Sequence, residues 1–245
     1  MMILGIDIGG SGIKGAPVDL TTGTFTAERF RVATPQPANV KHLVEAVGEV
    51  ADHFTRADRI GIAFPGVIAG GVSRTAANID HSWLDAPAGE LFQHALARPV
   101  TVLNDADAAG TAEMEFGAGR GQAGVTVMLT FGTGIGSALF LDGVLVPNTE
   151  LGHLRMHHKD AEARASDHAR DVDGLTWTKW ADRVQEYLRY VEHLLNPDLF
   201  VIGGGVSKKS DRFLPLLDVS TPVVAATLHN DAGIVGAAIA AAKAT

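Results

Sequence analysis

The chain has 245 residues, 46% of them hydrophobic, and a formal net charge of −8. That charge speaks against a nucleic-acid binder, which carries a basic excess, but leaves room for a local basic patch suited to a smaller anion. With no cysteine and no apolar run of about 18 residues, disulfides, thiolate metal sites, a cysteine nucleophile and a membrane span are all excluded as expectations.

The start, "MMILGIDIGG", lacks the charged head and small-residue cleavage site of a signal peptide. It reads as a strand, and the expected location is the cytoplasm. "MILGIDI", "IKGAPVDL" and "TFTAERFRV" read as an antiparallel meander joined by "GGSG" and "TTG". Next, "NVKHLVEAVGEVADHF" places Val40, Leu43, Val44, Val47, Val50 and Ala51 on one helical face. "RIGIAF" is a buried strand stopped by Pro65-Gly66, and a long polar loop follows to about residue 86. "AGELFQHALA" is a short helix, "VTVL" a buried strand, and a helix runs from about Asp105 to Phe116.

The second half begins in the same way. "VTVMLTF" is a strand, "GTGIG" a turn, and "SALFLDGVLV" a hairpin bending at Asp142-Gly143. A helical region covers about 160–195 with a break near Gly174. "DLFVIGGG" and "TPVVAAT" are strands, and "AGIVGAAIAAAKA" is a closing helix. The order of elements predicts an α/β fold. "IDIGGSGIKGA" and "LTFGTGIGSAL" share one device, strand, glycine turn and strand, as a distant internal repeat would.

Three glycine-rich strand ends could hold phosphate. In "DIGGSGIK", Gly9, Gly10 and Gly12 permit positive φ and leave amides uncovered around Ser11. Lys14 adds a cation, and Asp7 could hold Mg²⁺ through water. This is not the Walker pattern, and a plain hairpin turn would also explain it. "FGTGIG" offers Gly132, the Thr133 hydroxyl and Gly134, and "VIGGGVSKK" offers Gly203, Gly204 and Gly205 with Lys208 and Lys209. Singly, each of those lysines reads as a solvated helix start.

In "LNDADAAG", either Asn104 or Asp105 can cap the helix, and the other is left for other work. Asp107 lies in the first turn and suits the helix dipole. In "NTELGHL", Glu150 and His153 fall on adjacent positions of a turn, where a carboxylate accepts hydroxyls and an imidazole donates to one. His157 and His158 resemble half a metal site with no carboxylate at matching spacing, and read as surface residues.

With "DIGGSGIK", "LNDADAAG", "GTGIG", "ELGH" and "IGGG" in this order, the chain resembles the ROK family of sugar kinases. Within it, the chain looks like the actinobacterial polyphosphate glucokinases and polyphosphate/ATP glucomannokinases. "TPQPA", "RTAANID", "PNTELGHL" and "PDLFVIGGGVSKK" carry that closer likeness.

The resemblance implies an actin-like, ribonuclease-H-like two-domain sugar kinase fold with an interdomain cleft. Its domains would be 1–108, joined by the closing helix 231–245, and 109–230. Asp7 to Lys14 would match the first phosphate motif, Gly132 to Gly136 the second, and Gly203 to Gly205 the adenosine or distal-phosphate motif. Asp105 would be the general base on the sugar's 6-hydroxyl. Asn104, Glu150 and His153 would hold sugar hydroxyls, with Asn78 and Glu162 as further candidates and Gly66 at the sugar edge. The implied reaction moves a phosphoryl group from polyphosphate, or also ATP, to glucose, or also mannose, with Mg²⁺. A homodimer is implied, and neither nucleic acid nor a membrane is an expected partner. Lys14, Arg120, Lys208, Lys209 and Arg212 could form the basic track that a polyanion needs.

One departure stands out: most ROK kinases carry a Cys-rich zinc motif after the Gly-His pair, and here "LRMHHKDAEARAS" has no cysteine. No zinc site is expected. The competing readings are a strictly ATP-dependent glucokinase, a non-catalytic sugar sensor and an actin-like ATPase without a sugar acceptor.

Overall fold

The computed structural model describes residues 1–76 and 79–244. The described chain divides into two units, one formed by Met1–Ala112 and the segment from Asp231 onward, the other by Glu113–Asn230.

In the first unit, apolar alternation pairs β1 (Ile3–Ile8) with β2 (Ile13–Asp19) in an antiparallel hairpin, Asp7 opposite Lys14. The third expected strand is two pieces, β3 (Thr24–Phe25) and β4 (Phe30–Val32), both antiparallel to β2. The Thr26 amide and hydroxyl both donate to the Pro17 carbonyl, one step beyond the β2–β3 pairs. Helix α1 (Val40–His53) starts at Asn39, whose side chain accepts from the His42 amide at 3.0 Å. β5 (Arg59–Phe64) and, after α2 (Ala88–Leu96), β8 (Val100–Asn104) extend the sheet in parallel, giving the order β3-β2-β1-β5-β8 with β4 beside β2. The long loop between them is less irregular than expected. It carries a small hairpin, β6 (Ile68–Ala69) with β7 (Val72–Ser73), and sinks Trp83 fully into the core. The Trp83 indole donates to the Ala38 carbonyl, satisfying its one polar atom. Helix α3 (Asp105–Phe116) follows β8.

The second unit repeats the plan. β9 (Val125–Phe131), β10 (Ile135–Leu141) and β11 (Val144–Val146) form the antiparallel part. After a short hairpin, β12 (Arg155–Met156) with β13 (Lys159–Asp160), the expected helical region is three helices. These are α4 (Glu162–Ala165), α5 (Asp167–Val172) and α6 (Trp177–Leu195). The extra break falls at Ser166, whose hydroxyl caps α5 at the Ala169 amide. Helix α6 buries Trp180, Val184, Tyr187, Leu188 and Val191 on one face. β14 (Leu199–Gly204) and β15 (Val223–Ala225) then add in parallel, giving β11-β10-β9-β14-β15.

The closing helix α7 (Ala232–Lys243) belongs to the first unit. Glycines let it lie directly on the sheet. A Cβ on Gly5 would fall 1.9 Å from the Ile234 carbonyl oxygen, and one on Gly61 would fall 1.8 Å from that of Ala237. Gly236 plays the same part on the helix, 1.7 Å from the Ala108 carbonyl oxygen of α3. Ile234, Val235 and Ile239 are thereby buried in that unit's core.

Candidate active site

The β1–β2 turn is built from the residues between Ile8 and Ile13. The Gly9 amide donates to the Gly12 carbonyl at 3.1 Å, which closes the turn. None of Gly9, Gly10 and Gly12 takes positive φ, contrary to the expectation from their residue type. At Gly12, and less tightly at Gly9, space is what a side chain would lack. A Cβ on Gly12 would sit 2.4 Å from the Arg31 guanidinium, one on Gly9 would press on the Gly12 carbonyl, and Gly10 stands open. Arg31, opposite Lys14 on β4, donates to the Ser11 carbonyl at 2.7 Å, and the Thr34 hydroxyl donates to the Gly9 carbonyl at 2.6 Å. Lys14 lies 3.3 Å from Asp7, and the first turn of α7 abuts the same carboxylate through Gly233. Burial pushes the Asp7 carboxyl above the usual range, with Lys14 and then Arg29 pulling it back.

At the β8–α3 junction, Asn104 is the cap and Asp105 is the first helical residue. The Asn104 side-chain oxygen accepts from the Ala106 and Asp107 amides at 2.8 and 3.1 Å, and its NH₂ donates to the Gly66 carbonyl at 3.2 Å. Asn104 is only 7% exposed, so its cap and its tie to Gly66 are settled inside the fold. Asp105 stays partly exposed and accepts from the Ala106 amide. Gly66 has a Cβ position 3.0 Å from the Thr75 carbonyl oxygen, which explains the residue there. Asn78 lies outside the described residues.

In the second unit, the β9–β10 turn folds on itself through a Gly132 amide to Gly134 carbonyl bond of 3.0 Å. Thr133 is exposed at its tip. Glu162, the first residue of α4, accepts from the Ile135 amide at 3.1 Å, and a Cβ at 134 would lie 2.3 Å from that carboxylate and push it from this position. Neither Gly132 nor Gly134 has positive φ.

The "ELGH" segment is a 3₁₀ turn pinned to β10. The Ser137 hydroxyl donates to the Thr149 carbonyl at 2.7 Å and accepts from the Leu151 amide at 2.9 Å, and Gly152 sits against the Ile135 carbonyl. This brings Glu150 and His153 together, with His153 Nε2 3.6 Å from Glu150 Oε2. Nδ1 of His153 faces Asp160 at 3.2 Å and Glu162 at 3.8 Å. Burial raises the Glu150 carboxyl, while His153 pulls it down. For His153 burial is the largest single influence and lowers it, but Asp160, Glu162 and Glu150 together hold the ring above its ordinary value. His157 and His158 are exposed, and His157 meets Glu186.

The strand end at Gly203–Gly205 is tight. Only Gly204 takes positive φ, at 79°, and its Cβ position is closed by the Phe131 carbonyl. Lys208 is exposed on the 3₁₀ segment that follows, and Lys209 lies over the Trp177 ring at 5.8 Å. Arg31, Thr34, Ser137 and Asp160 were not picked out from the sequence. Only the strand register and the short β12–β13 hairpin bring them to these positions.

The ROK family model matches residues 3–171. A polyphosphate glucokinase of Mycobacterium tuberculosis is 49% identical over 237 residues, covering 96% of this chain and 89% of its own. The crystal structure of an inorganic polyphosphate/ATP-glucomannokinase from Arthrobacter sp. strain KM superposes with a TM-score of 0.95 at 50% identity, covering 98% of each chain. A ROK family glucokinase from Streptomyces griseus, in complex with glucose and AMPPNP, has a TM-score of 0.85 at 24% identity over the whole of both chains, a likeness of fold.

Proposed function

The chain belongs to the ROK family, and on that premise we propose that it is a polyphosphate-dependent glucose kinase. It moves the terminal phosphoryl group of inorganic polyphosphate to the 6-hydroxyl of glucose. ATP is a further donor and mannose a further acceptor. The observation that carries the chemistry is the division of labour at the start of α3. Asn104 does the capping, so Asp105 stands at the helix start as a partly exposed carboxylate.

Asp105 hydrogen-bonds the 6-hydroxyl and accepts its proton as the sugar oxygen bonds to the terminal phosphorus. The bond from that phosphorus to the rest of the donor breaks, and the shortened polyphosphate leaves with the electron pair. An aspartate of pKa about 4 suffices because the proton is released late, when the hydroxyl has become acidic. Phosphoryl transfer is otherwise alignment and charge neutralisation. Backbone amides of Gly9, Gly10, Ser11, Gly12, Gly132, Thr133 and Gly134, with Lys14, hold the transferred phosphate. Asn104, Glu150 and His153 hold sugar hydroxyls, with Asn78 and Glu162 as further ligands and Gly66 at the sugar's edge, its carbonyl tied to Asn104.

Asp7 offers a single carboxylate, and among the described residues no group of three or more His, Asp or Glu could hold an ion. That donor set fits Mg²⁺, which keeps several waters and takes one or two carboxylates together with substrate phosphates. The ion would neutralise charge on the donor. Gly203, Gly204, Gly205 and Lys208 take the distal part of the donor, and exposed Lys209, Arg212 and Arg120 extend the basic track. Leu141, Val144 and Val146, exposed at the β10–β11 edge, offer one apolar patch to a homodimer. No helix among the described residues is long and apolar enough to cross a membrane, and we place the enzyme in the cytoplasm.

Two measurements test this. Initial rates with polyphosphate and with ATP at matched phosphate concentration, first with glucose and then with mannose, rank donors and acceptors; a strict ATP requirement removes the polyphosphate reading. Asp105→Asn lowers kcat by about 10²–10⁴-fold while glucose still binds, and near-normal turnover overturns the assignment.

A further inference from the structure

The segment after "ELGH" contains no cysteine, so whatever holds it must come from ordinary side chains. Its frame is the two-residue ladder of β12 with β13, in which Arg155 faces Asp160. Arg155 donates to Asp160 Oδ1 at 2.9 Å and also reaches the His158 carbonyl, which closes the hairpin. The other Asp160 oxygen lies 3.2 Å from His153 Nδ1. One carboxylate therefore joins the hairpin to the imidazole.

We propose that Asp160 is a positioning residue for sugar binding, fixing both the ring orientation of His153 and the nitrogen that it presents to the sugar. The proposal rests on the reading of His153 as a sugar ligand. An ionised carboxylate can only accept hydrogen bonds, and Arg155 and then His153 hold Asp160 below the usual carboxylate range. Nδ1 of His153 must then carry a proton and donate it. The ring is oriented from behind, as a buried carboxylate orients a histidine ligand in many sites. Nε2 is left to the sugar side, beside Glu150. There it offers an N–H when the ring is charged and a lone pair when it is neutral.

Four charged groups face this imidazole or its brace. Glu150 precedes the 3₁₀ turn, Asp160 lies on β13, Glu162 opens α4, and Arg155 on β12 reaches the ring only through Asp160. The three carboxylates favour the charged ring. Glu162 also holds the Ile135 amide, so its removal would disturb the β9–β10 turn. The Asp160 carboxylate reaches Arg155 of the hairpin and the His153 ring, and it is the cleaner position to test.

The test uses the full chain with Asp160→Asn, which keeps the side chain's shape and removes its charge. NMR titration of the His153 ring protons, assigned by their loss in His153→Gln, reads the ring directly without turnover. Glucose KM and kcat across pH read the consequence. The ring pKa falls, the alkaline limb of kcat/KM for glucose moves to lower pH, and glucose KM rises about fivefold, the upper end for a half-exposed ion pair. kcat and the melting temperature stay close to the parent's. An unchanged ring titration overturns the proposal. So does a shifted titration with an unchanged glucose KM when His153→Gln itself raises that KM. If His153→Gln leaves glucose KM unaltered, the sugar-ligand reading fails and the positioning role falls with it, a result told apart by the ring titration still responding to Asp160.

Discussion

The two glycine turns, one per unit, are alike in topology and opposite in how they are held. Each joins the first two strands of its sheet, and in each the first strand also pairs in parallel on its other side. The β1–β2 turn is clasped by a guanidinium and a hydroxyl that donate to its carbonyls, Arg31 to Ser11 and Thr34 to Gly9. The β9–β10 turn is braced by a carboxylate that accepts one of its amides, Glu162 from Ile135. In the first, carbonyls are occupied by cationic and neutral donors, which leaves amides and positive charge for an anion. In the second, an anion already occupies one amide, and that same anion lies 3.8 Å from His153. The shared shape is set by the strands. The electrostatic sign is set by residues far away in sequence, so the first turn is the more favourable of the two for an anion, while the second carries a carboxylate that also faces His153.

The largest effect that would break this contrast is at Arg31. Arg31→Ala removes the cation from the first turn and should lower kcat/KM for polyphosphate about tenfold, the low end for a hydrogen bond to a charged group. Glucose KM should stay within about twofold, and a change confined to glucose would reverse the assignment of the turns. Glu162→Gln keeps an acceptor for the Ile135 amide and removes the charge beside His153. Glucose KM should rise about threefold, as for a partly exposed pair, with the polyphosphate KM little changed; the opposite pattern would place Glu162 with the donor and not with the sugar. The smallest effect is pH. Because the carboxylates raise the His153 pKa above 6.5, the charged ring's contribution is complete below that ordinary value and is lost as pH rises through the raised one. Glucose KM should drift upward across that window by about twofold, while a flat profile would mean that the ring binds sugar in its neutral form.

The likeness of the turns was legible in the sequence; their difference was not. "IDIGGSGIKGA" and "LTFGTGIGSAL" announce the shared strand-turn-strand device, and the matching strand orders of the two sheets carry it through. Apolar periodicity marked α1 and the buried strands because local pattern and burial agree there. Arg31 escaped notice because it is one more residue of a polar edge strand until the β2–β4 register sets it across from Lys14. Asp160 escaped because a hairpin of two-residue strands leaves no periodicity to read. The glycines were marked correctly as special but for the wrong reason. At Gly12 and Gly134 the absent side chain makes room for Arg31 and Glu162, whereas positive φ occurs at Gly204 alone among those in the candidate site. The Asn104-Asp105 pair was ambiguous for a further reason: either side chain can cap a helix, and only the neighbouring Gly66 carbonyl selects Asn104.

The seating of α7 on Gly5 and Gly61 has a consequence for the order in which the protein matures. Synthesis runs from the N-terminus, so β1, β2, β5 and β8 leave the ribosome long before residues 232–243 exist. Until then the sheet face shaped for Ile234 and Ala237 has nothing to cover it. The segment Glu113–Asn230, by contrast, is contiguous and can complete its sheet as soon as it emerges. The half of the protein made first is therefore the half finished last, and the nascent chain carries an uncovered apolar sheet from the end of β8 at Asn104 until α7 begins at Ala232.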